Sequence, residues 1–453
     1  MVRIKTKKRD FRILSAMSLK SIIKHFKSEY FRSLSVLLSG TIIAQVIGYA
    51  LAPVLTRLYS TAEMGELALY MRVTGFIAAI ATLRYEAALP LPKYDGHSYL
   101  IYRISLFFSI IVIGISSMIL VSLVVSGLTP GFSWWYLILL VFGSAAIVVI
   151  NIGTNWSIRT GTFSVISRQK IGNSVFSNFL KWGFAYLSWG YFGLILATFI
   201  GYFISCFEFI FNFRSLKKKF SKVKSRKKTW VLLKDHREFP LVNLPHILVD
   251  HGRDILIATF ILVYFSESVY GSYSHSYAML RIPTMLIGVS LSQVFYNQAV
   301  KLYNEQQRII PLMQKTIGTL IAISVIPFSI LYLYGEPIFV WIFGENWSDA
   351  GSYSETMSFW LMIGFIISPI SALPMILKKQ RIAFIFGIIS ALIQIIPLFV
   401  IPEMCGKSNE YFILTLKVIS YSQALWFLLV LVIYFIFVYQ HDNQLTKSSS
   451  LDN

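Results

Sequence analysis

The chain has 453 residues, 56% of them hydrophobic and only 14% charged, with a formal net charge of +20. So apolar a composition excludes a soluble chain cut into ordinary domains, and repeated apolar runs of about 18 residues or more point to membrane-spanning helices. The positive charge raises nucleic-acid binding, but its placement along the chain argues for membrane topology and anionic headgroups instead.

Residues 1–32 form a basic arm carrying Arg3, Lys5, Lys7, Lys8, Arg9, Arg12, Lys20, Lys24, Lys27 and Arg32. The arm lacks the apolar region and small-residue cleavage site of a signal peptide. Leu19, Ile22, Ile23, Phe26 and Tyr30 share one helical face, as in an amphipathic helix lying on the inner leaflet; the alternative is a solvated arm. Spans are then expected at about 33–56, 64–90, 98–126, 134–158, 164–188, 190–212, 240–264, 270–298, 312–335, 350–377, 382–401 and 413–439. Because lipid tolerates no unpaired backbone, the protein is expected to be an all-α integral membrane protein of about 12 transmembrane helices.

The stretch "FRSLKKKFSKVKSRKKTW" belongs to a basic linker, 214–238, that separates a first half, 33–213, from a second, 239–440, with a tail at 441–453. An N-terminus in the cytoplasm puts this linker, Lys301, Arg308 and the turn "KKQR" inside as well. The positive-inside pattern therefore predicts a multi-pass protein with both termini cytoplasmic. The longest opposite loop, "GEPIFVWIFGENWSD", is too short to house catalysis, so no enzyme is expected. Pro53, Pro283, Pro369, Pro374 and Pro397 fall inside predicted spans and are candidates for kinks. Trp134, Trp135, Trp189, Trp341 and Trp347 fall near predicted outer boundaries, as interface anchors do. Cys206 and Cys405 are not placed to pair, and no metal-ligand spacing or phosphate-binding loop is present, so no cofactor is expected.

Charges inside the predicted spans carry the functional reading. Arg84 and Glu86 lie two apart, on nearly opposite sides of a continuous helix, which leaves each needing another partner. Glu86 shares a face with Arg72. Arg84 either snorkels to the headgroups or serves function. In the seventh span Asn243, His246, Asp250, Arg253 and Asp254 fall within one arc. A charge at the centre of a span costs about 2.5–3.5 kcal/mol, so these groups either pair, as Asp250 and Arg253 can at i,i+3, or face water. The fifth span repeats Ser174, Ser177, Asn178, Lys181 and Ser188 on one stripe, and the eighth carries Arg281 near its middle. Arg72, Lys181, Arg253 and Arg281 thus form a set of deep cations, and Asp250 and Asp254 a set of deep anions. A cationic interior implies an anionic ligand, and the arginine fork suits phosphate. The carboxylates are candidates for H+ or Na+ coupling.

"LTRLYSTAEMGELALY", "RYEAALPLPK", "FPLVNLPHILVD", "LRIPTMLIGVSLSQVFYNQ", "FGENWSDAGSY" and "SPISALP", in that order, resemble the O-antigen and capsular repeat-unit flippases of the multidrug/oligosaccharidyl-lipid/polysaccharide exporter superfamily. The resemblance implies two six-helix lobes in a V around a central cavity. It also implies alternating access that moves an undecaprenyl-diphosphate-linked oligosaccharide from the inner to the outer leaflet of the bacterial inner membrane. On that view Arg281, Arg253, Lys181, Arg72 and Arg84 meet the substrate, and Asp250, Asp254 and Glu86 balance charge or carry the coupling ion. Its partners are the lipid-linked oligosaccharide and membrane lipids, with a polymerase and a chain-length regulator of the same pathway, and no nucleic acid. A cation or drug antiporter of the same superfamily and a membrane polysaccharide polymerase are the alternatives.

Overall fold

The computed structural model describes residues 19–127, 133–220 and 225–449, and among them every regular element is helical. The first half contains α1 (Leu19–Leu58), α2 (Thr61–Ala81), α3 (Asp95–Val125), α4 (Trp134–Thr160), α5 (Phe163–Tyr186) and α6 (Gly190–Lys219). A short helix, α7 (Arg226–Asp235), lies in the basic linker. The second half contains α8 (Leu244–Tyr264), α9 (Glu267–Leu280), α10 (Val289–Asn304), α11 (Ile310–Phe343), α12 (Ser348–Ile367), α13 (Gln380–Cys405) and α14 (Asn409–Ser449). Helices α1, α5 and α6 pack together in the first lobe, and α11, α12 and α14 in the second.

All twelve predicted segments are helical, but they are not equally apolar. Among the described residues nine helices have the length and apolarity of a span, and α9 with Thr284–Asn304, bent by 41°, makes a tenth. The two that miss are the fifth and seventh predicted spans, α5 and α8. Arg168, Lys170 and Lys181 interrupt the one, and Asp250, Arg253 and Asp254 the other. Each packs against spans that do pass, α5 against α1 and α6, and α8 against α13 and α2, which gives Lys181 and Asp254 a side away from lipid to face.

Several boundaries differ from the sequence reading. The arm up to residue 18 lies outside the described residues, and the predicted boundary at 33 falls within a single helix, α1. The predicted second span stops at Ala81 instead of continuing to 90. Leu83 and Arg84 take positive φ values of 50° and 65°, and a 3-10 turn, Tyr85–Ala88, follows. Such backbone is unfavourable for a side chain as bulky as leucine, and the elbow is held from outside. Arg159 Nη1 donates to the carbonyl of Pro92 at 2.6 Å, and Nη2 pairs with Asp95 at 2.9 Å.

The basic linker is not a loose tether. Leu232 of α7 is buried among Tyr85, Tyr99 and Leu100, and Tyr85 Oη donates to the Leu233 carbonyl at 3.3 Å. The predicted opposite loop is absent as such: α11 continues to Phe343, kinked at Tyr334 ahead of Pro337. Trp347, expected at the membrane interface, is 0% exposed, and its Nε1 donates to the Thr56 carbonyl at 2.8 Å. Trp134 and Trp341 do present exposed rings. The predicted tail begins inside α14, where buried Asp442 accepts from the backbone N–H groups of Ile309 and Ile310 at 3.1 and 3.0 Å. This caps α11 from a distant helix.

The lobes meet at the end opposite the basic linker. Ser60 caps α2 in a reciprocal box with Glu63. One turn later Gly65 lies against the start of α9 so closely that a Cβ there would fall 2.3 Å from the Glu267 carbonyl oxygen. Thr61 and Ser268 hydroxyls hydrogen-bond across the same contact, and Arg57 Nη2 donates to the Trp341 carbonyl at 2.9 Å. Accessibility along α8 follows this geometry. Leu241 and Val242 just before it are exposed, whereas Ile257, Ala258 and Ile261 toward its far end are buried.

Candidate functional site

Halfway along the interface, four helices converge on one carboxylate. Asp254 on α8 receives Arg72 from α2, across the two lobes, on Oδ2. Its Oδ1 receives Arg253 through Nε at 3.1 Å and Nη2 at 2.9 Å. The residues around this pair are Ile257, three tyrosines of α9, Ser274, and Gln394 from α13. Tyr270, Tyr273 and Tyr277 recur at i, i+3 and i+7, which sets all three on one face of α9. Tyr273 and Tyr277 stack with ring centroids 5.9 Å apart.

Arg281 follows directly. It ends α9, just before Pro283 and the π-helical turn Thr284–Gly288, and its guanidinium lies over the Tyr277 ring at 5.2 Å. Pro283 removes a backbone donor just before the π-helical turn, so Arg281 closes α9 at the bend near the middle of the predicted eighth span. Among the described residues it has no carboxylate within ion-pair distance. Three guanidiniums and one carboxylate leave the cluster cationic. The free space within it is about 10 Å³, the size of one water. In this conformation the cluster is a closed contact that a ligand would have to part.

The sequence-predicted residues therefore fall into three places. Arg72, Arg253, Asp254 and Arg281 come together. Asp250 stands apart: it does not pair with Arg253 but with His246, at 3.4 Å, and both side chains are more than half exposed. Arg84 and Glu86 lie at the elbow near the linker helix. The expectation that they cannot neutralise each other is overturned, because the helix ends before them. Arg84 Nη1 reaches Glu86 Oε1 at 2.8 Å, and Thr82 donates to the other oxygen. Glu86 is 2% exposed.

Lys181 belongs to a separate cavity of about 360 Å³ inside the first lobe. The polar stripe of α5 opens on it, with Ser174, Ser177 and Asn178, and α1 contributes Thr41 and Gln45. Ser188, the last member of the predicted stripe, lies beyond the end of α5 with φ of 53° and takes no part. Sequence reasoning missed the tyrosine face of α9, Arg159, and Lys170, Asn173 and Tyr202 in this cavity. The tyrosines had a legible signal in their spacing. Lys170 and Asn173 share a helix with Lys181, but only the packing of α1 against α5 shows that they face a cavity.

The family described as "Polysaccharide biosynthesis protein" matches residues 54–352, well over half of the chain. Among curated proteins none matches. Among solved structures the fold is similar to the lipid II flippase MurJ in an inward closed conformation, at TM-score 0.63 and 16% identity, covering 92% of this chain and 93% of that one. It is similar also to an inward-facing multidrug resistance MATE family transporter of the MOP superfamily, at TM-score 0.58 and 15% identity, covering 92% and 96%. A MATE protein in a bent conformation gives TM-score 0.53 at 15% identity, covering 94% and 97%. At these identities the likeness establishes the fold, the V-shaped arrangement that the resemblance implied.

Proposed function

This chain belongs to the family of polysaccharide biosynthesis proteins, and from that premise we propose that it is a flippase for an undecaprenyl-diphosphate-linked oligosaccharide in the bacterial inner membrane. The observation that carries this reading is the cationic cluster between the lobes, in which Arg72 and Arg253 share one carboxylate and Arg281, over the Tyr277 ring, has none within ion-pair distance among the described residues. A diphosphate entering from the basic, cytoplasmic end meets Arg281 first as an unpaired donor fork. It then competes with Asp254 for Arg72 and Arg253, each a bidentate donor suited to phosphate oxygens. The polyprenyl tail stays in lipid at the gap between the lobes. The lobes then rock to expose the head group on the other side.

Asp254, once released, carries the coupling ion, H+ or Na+, or simply balances the arginines when the site is empty. On this reading Asp250 and His246, exposed in the first half of α8, meet the ion on its way. A cationic drug would meet guanidiniums at this cluster, which disfavours the antiporter reading. A polymerase needs an outer catalytic domain, and the segment read as the longest outer loop instead extends α11 to Phe343 and turns directly into α12. The lipid-linked oligosaccharide thus remains the favoured partner, with a polymerase and a chain-length regulator acting after it.

The test is Arg281→Ala in a strain that depends on this protein for surface glycan. Translocation should be lost while the protein accumulates normally in the membrane. Full complementation by Arg281→Ala would refute the assignment of the diphosphate to this cluster.

A further inference from the structure

The cavity of the first lobe has no counterpart in the mechanism above. It is about 360 Å³, within the range of small-molecule pockets, whereas the interlobe cluster has room for a single water. The two sites are neighbours across α2: Arg72 lines the interlobe cluster, and Met71, the preceding residue, lines the cavity. Two lysines reach into it, and none of its lining residues is acidic. Lys170 Nζ donates to Thr41 Oγ1 at 2.9 Å. The Lys181 ammonium has no carboxylate within ion-pair distance among the described residues. The Lys181 side chain is partly buried, and an ammonium facing this cavity with no carboxylate beside it favours an anionic ligand.

A bare anion would satisfy only the lysines. The side-chain oxygens of Gln45 and Asn173 are closed off from the free space; Asn173 Oδ1 lies against α6, 2.8 Å from where a Cβ on Gly201 would stand. The rest of the wall is neutral and polar, with Ser174, Ser177, Asn178 and Thr198, side chains that pair with ligand hydroxyls. The wall thus asks for one anionic group beside Lys181 and for hydroxyls on the same ligand. Tyr202 closes the far side with a ring and a further hydroxyl, a combination suited to a sugar.

We propose that this cavity is a subsite for a sugar carboxylate, a hexuronate-type unit of the translocated oligosaccharide, held by Lys181 and Lys170 while the diphosphate occupies the arginine cluster. The inference deepens the flippase reading by naming a class of sugar, and it rests on that reading only for the source of the sugar. An acidic unit held in the first lobe, and a diphosphate held between the lobes, would fix the head group at two points. Glycans whose repeat unit lacks a carboxylate would lose one of them.

The experiment uses the purified full-length protein in nanodiscs and reads its thermal unfolding against sodium glucuronate, glucose, inorganic phosphate and sodium chloride. Glucuronate is expected to raise the unfolding temperature saturably, at concentrations where glucose, phosphate and chloride give no comparable rise. Lys181→Met should weaken the glucuronate response about tenfold or more, and Lys181→Arg should keep it. Arg281→Ala should leave it intact, because Arg281 lies in the other site. Equal protection by phosphate or chloride, or a glucuronate response insensitive to Lys181→Met, would overturn the subsite. Failure of the flippase reading appears separately, as normal glycan export by Arg281→Ala with the Lys181-dependent response unchanged.

Discussion

The closest approach between the lobes offers the sharpest test of how this transporter-like fold is held shut at one end. Gly65 on α2 and Gly271 on α9 face each other there. A Cβ on Gly271 would fall 1.8 Å from the Thr61 carbonyl oxygen, and real Cβ atoms essentially never approach below 3.0 Å. The obstacle is backbone, so no side-chain rotation relieves it, and the helices must part by about an ångström. Overpacking of this kind costs about 1–3 kcal/mol. The cost falls only on the conformation in which α2 and α9 touch, so Gly271→Ala should shift the balance away from it by about 5- to 150-fold. Spin labels at the exposed positions Trp134 and Trp341, one on each lobe at that end, would report the change as a longer distance population. The background should be free of native thiols, because Cys405 is exposed. An unchanged distance distribution in folded Gly271→Ala protein would refute the reasoning.

Two further substitutions test the supports around the site. Arg84→Ala leaves Glu86 buried opposite nothing but Thr82 and should destabilise the protein by about 3–5 kcal/mol. Arg84→Ala with Glu86→Gln should recover most of the loss, and failure of the double variant to recover would show that Arg84 acts through its backbone rather than its charge. Asp442→Ala removes the acceptor of two N–H groups at the start of α11 and should cost about 1–2 kcal/mol, measured as a lower unfolding temperature. Unaltered unfolding would mean that solvent caps this helix equally well.

What the sequence made legible, and what it hid, divides along physical lines. Span positions follow from hydropathy, so all twelve segments are found as helices. The two least apolar of them, α5 and α8, are also the ones whose charges the sequence singled out. A charged stripe in a span is readable because lipid forbids it, whichever partner it finds. The partner itself is a tertiary fact. Asp254 is adjacent in sequence to Arg253, yet its second arginine comes from the other lobe. The Arg84–Glu86 pair was misread because the argument assumed a continuous helix. Two residues in left-handed backbone undo that assumption, and neither is the glycine that would have advertised it. Trp347 was misread for a different reason. Its position near a span boundary suggested an anchor, whereas the tight turn after Gly344 between α11 and α12 folds the ring into the lobe contact.

The geometry also constrains how binding and opening communicate. Arg72 and Gly65 lie on one helix, α2, and the groups they touch, Asp254 and the start of α9, lie on adjacent elements of the other lobe. A phosphate that takes Arg72 from Asp254 removes the charge tie between the lobes, but it leaves the glycine contact and the Trp347–Thr56 hydrogen bond in place. A ligand can shift such an equilibrium only by its differential affinity for the two states. Binding at the arginine cluster must therefore outweigh those remaining contacts, or a second ligand must act with it. If the first-lobe cavity holds an acidic sugar, that unit bears on α2 through Met71 from the opposite side to Arg72. Two anchors acting on one helix would then open the far end where one would not, and head groups lacking the carboxylate should bind the cluster yet be exported more slowly.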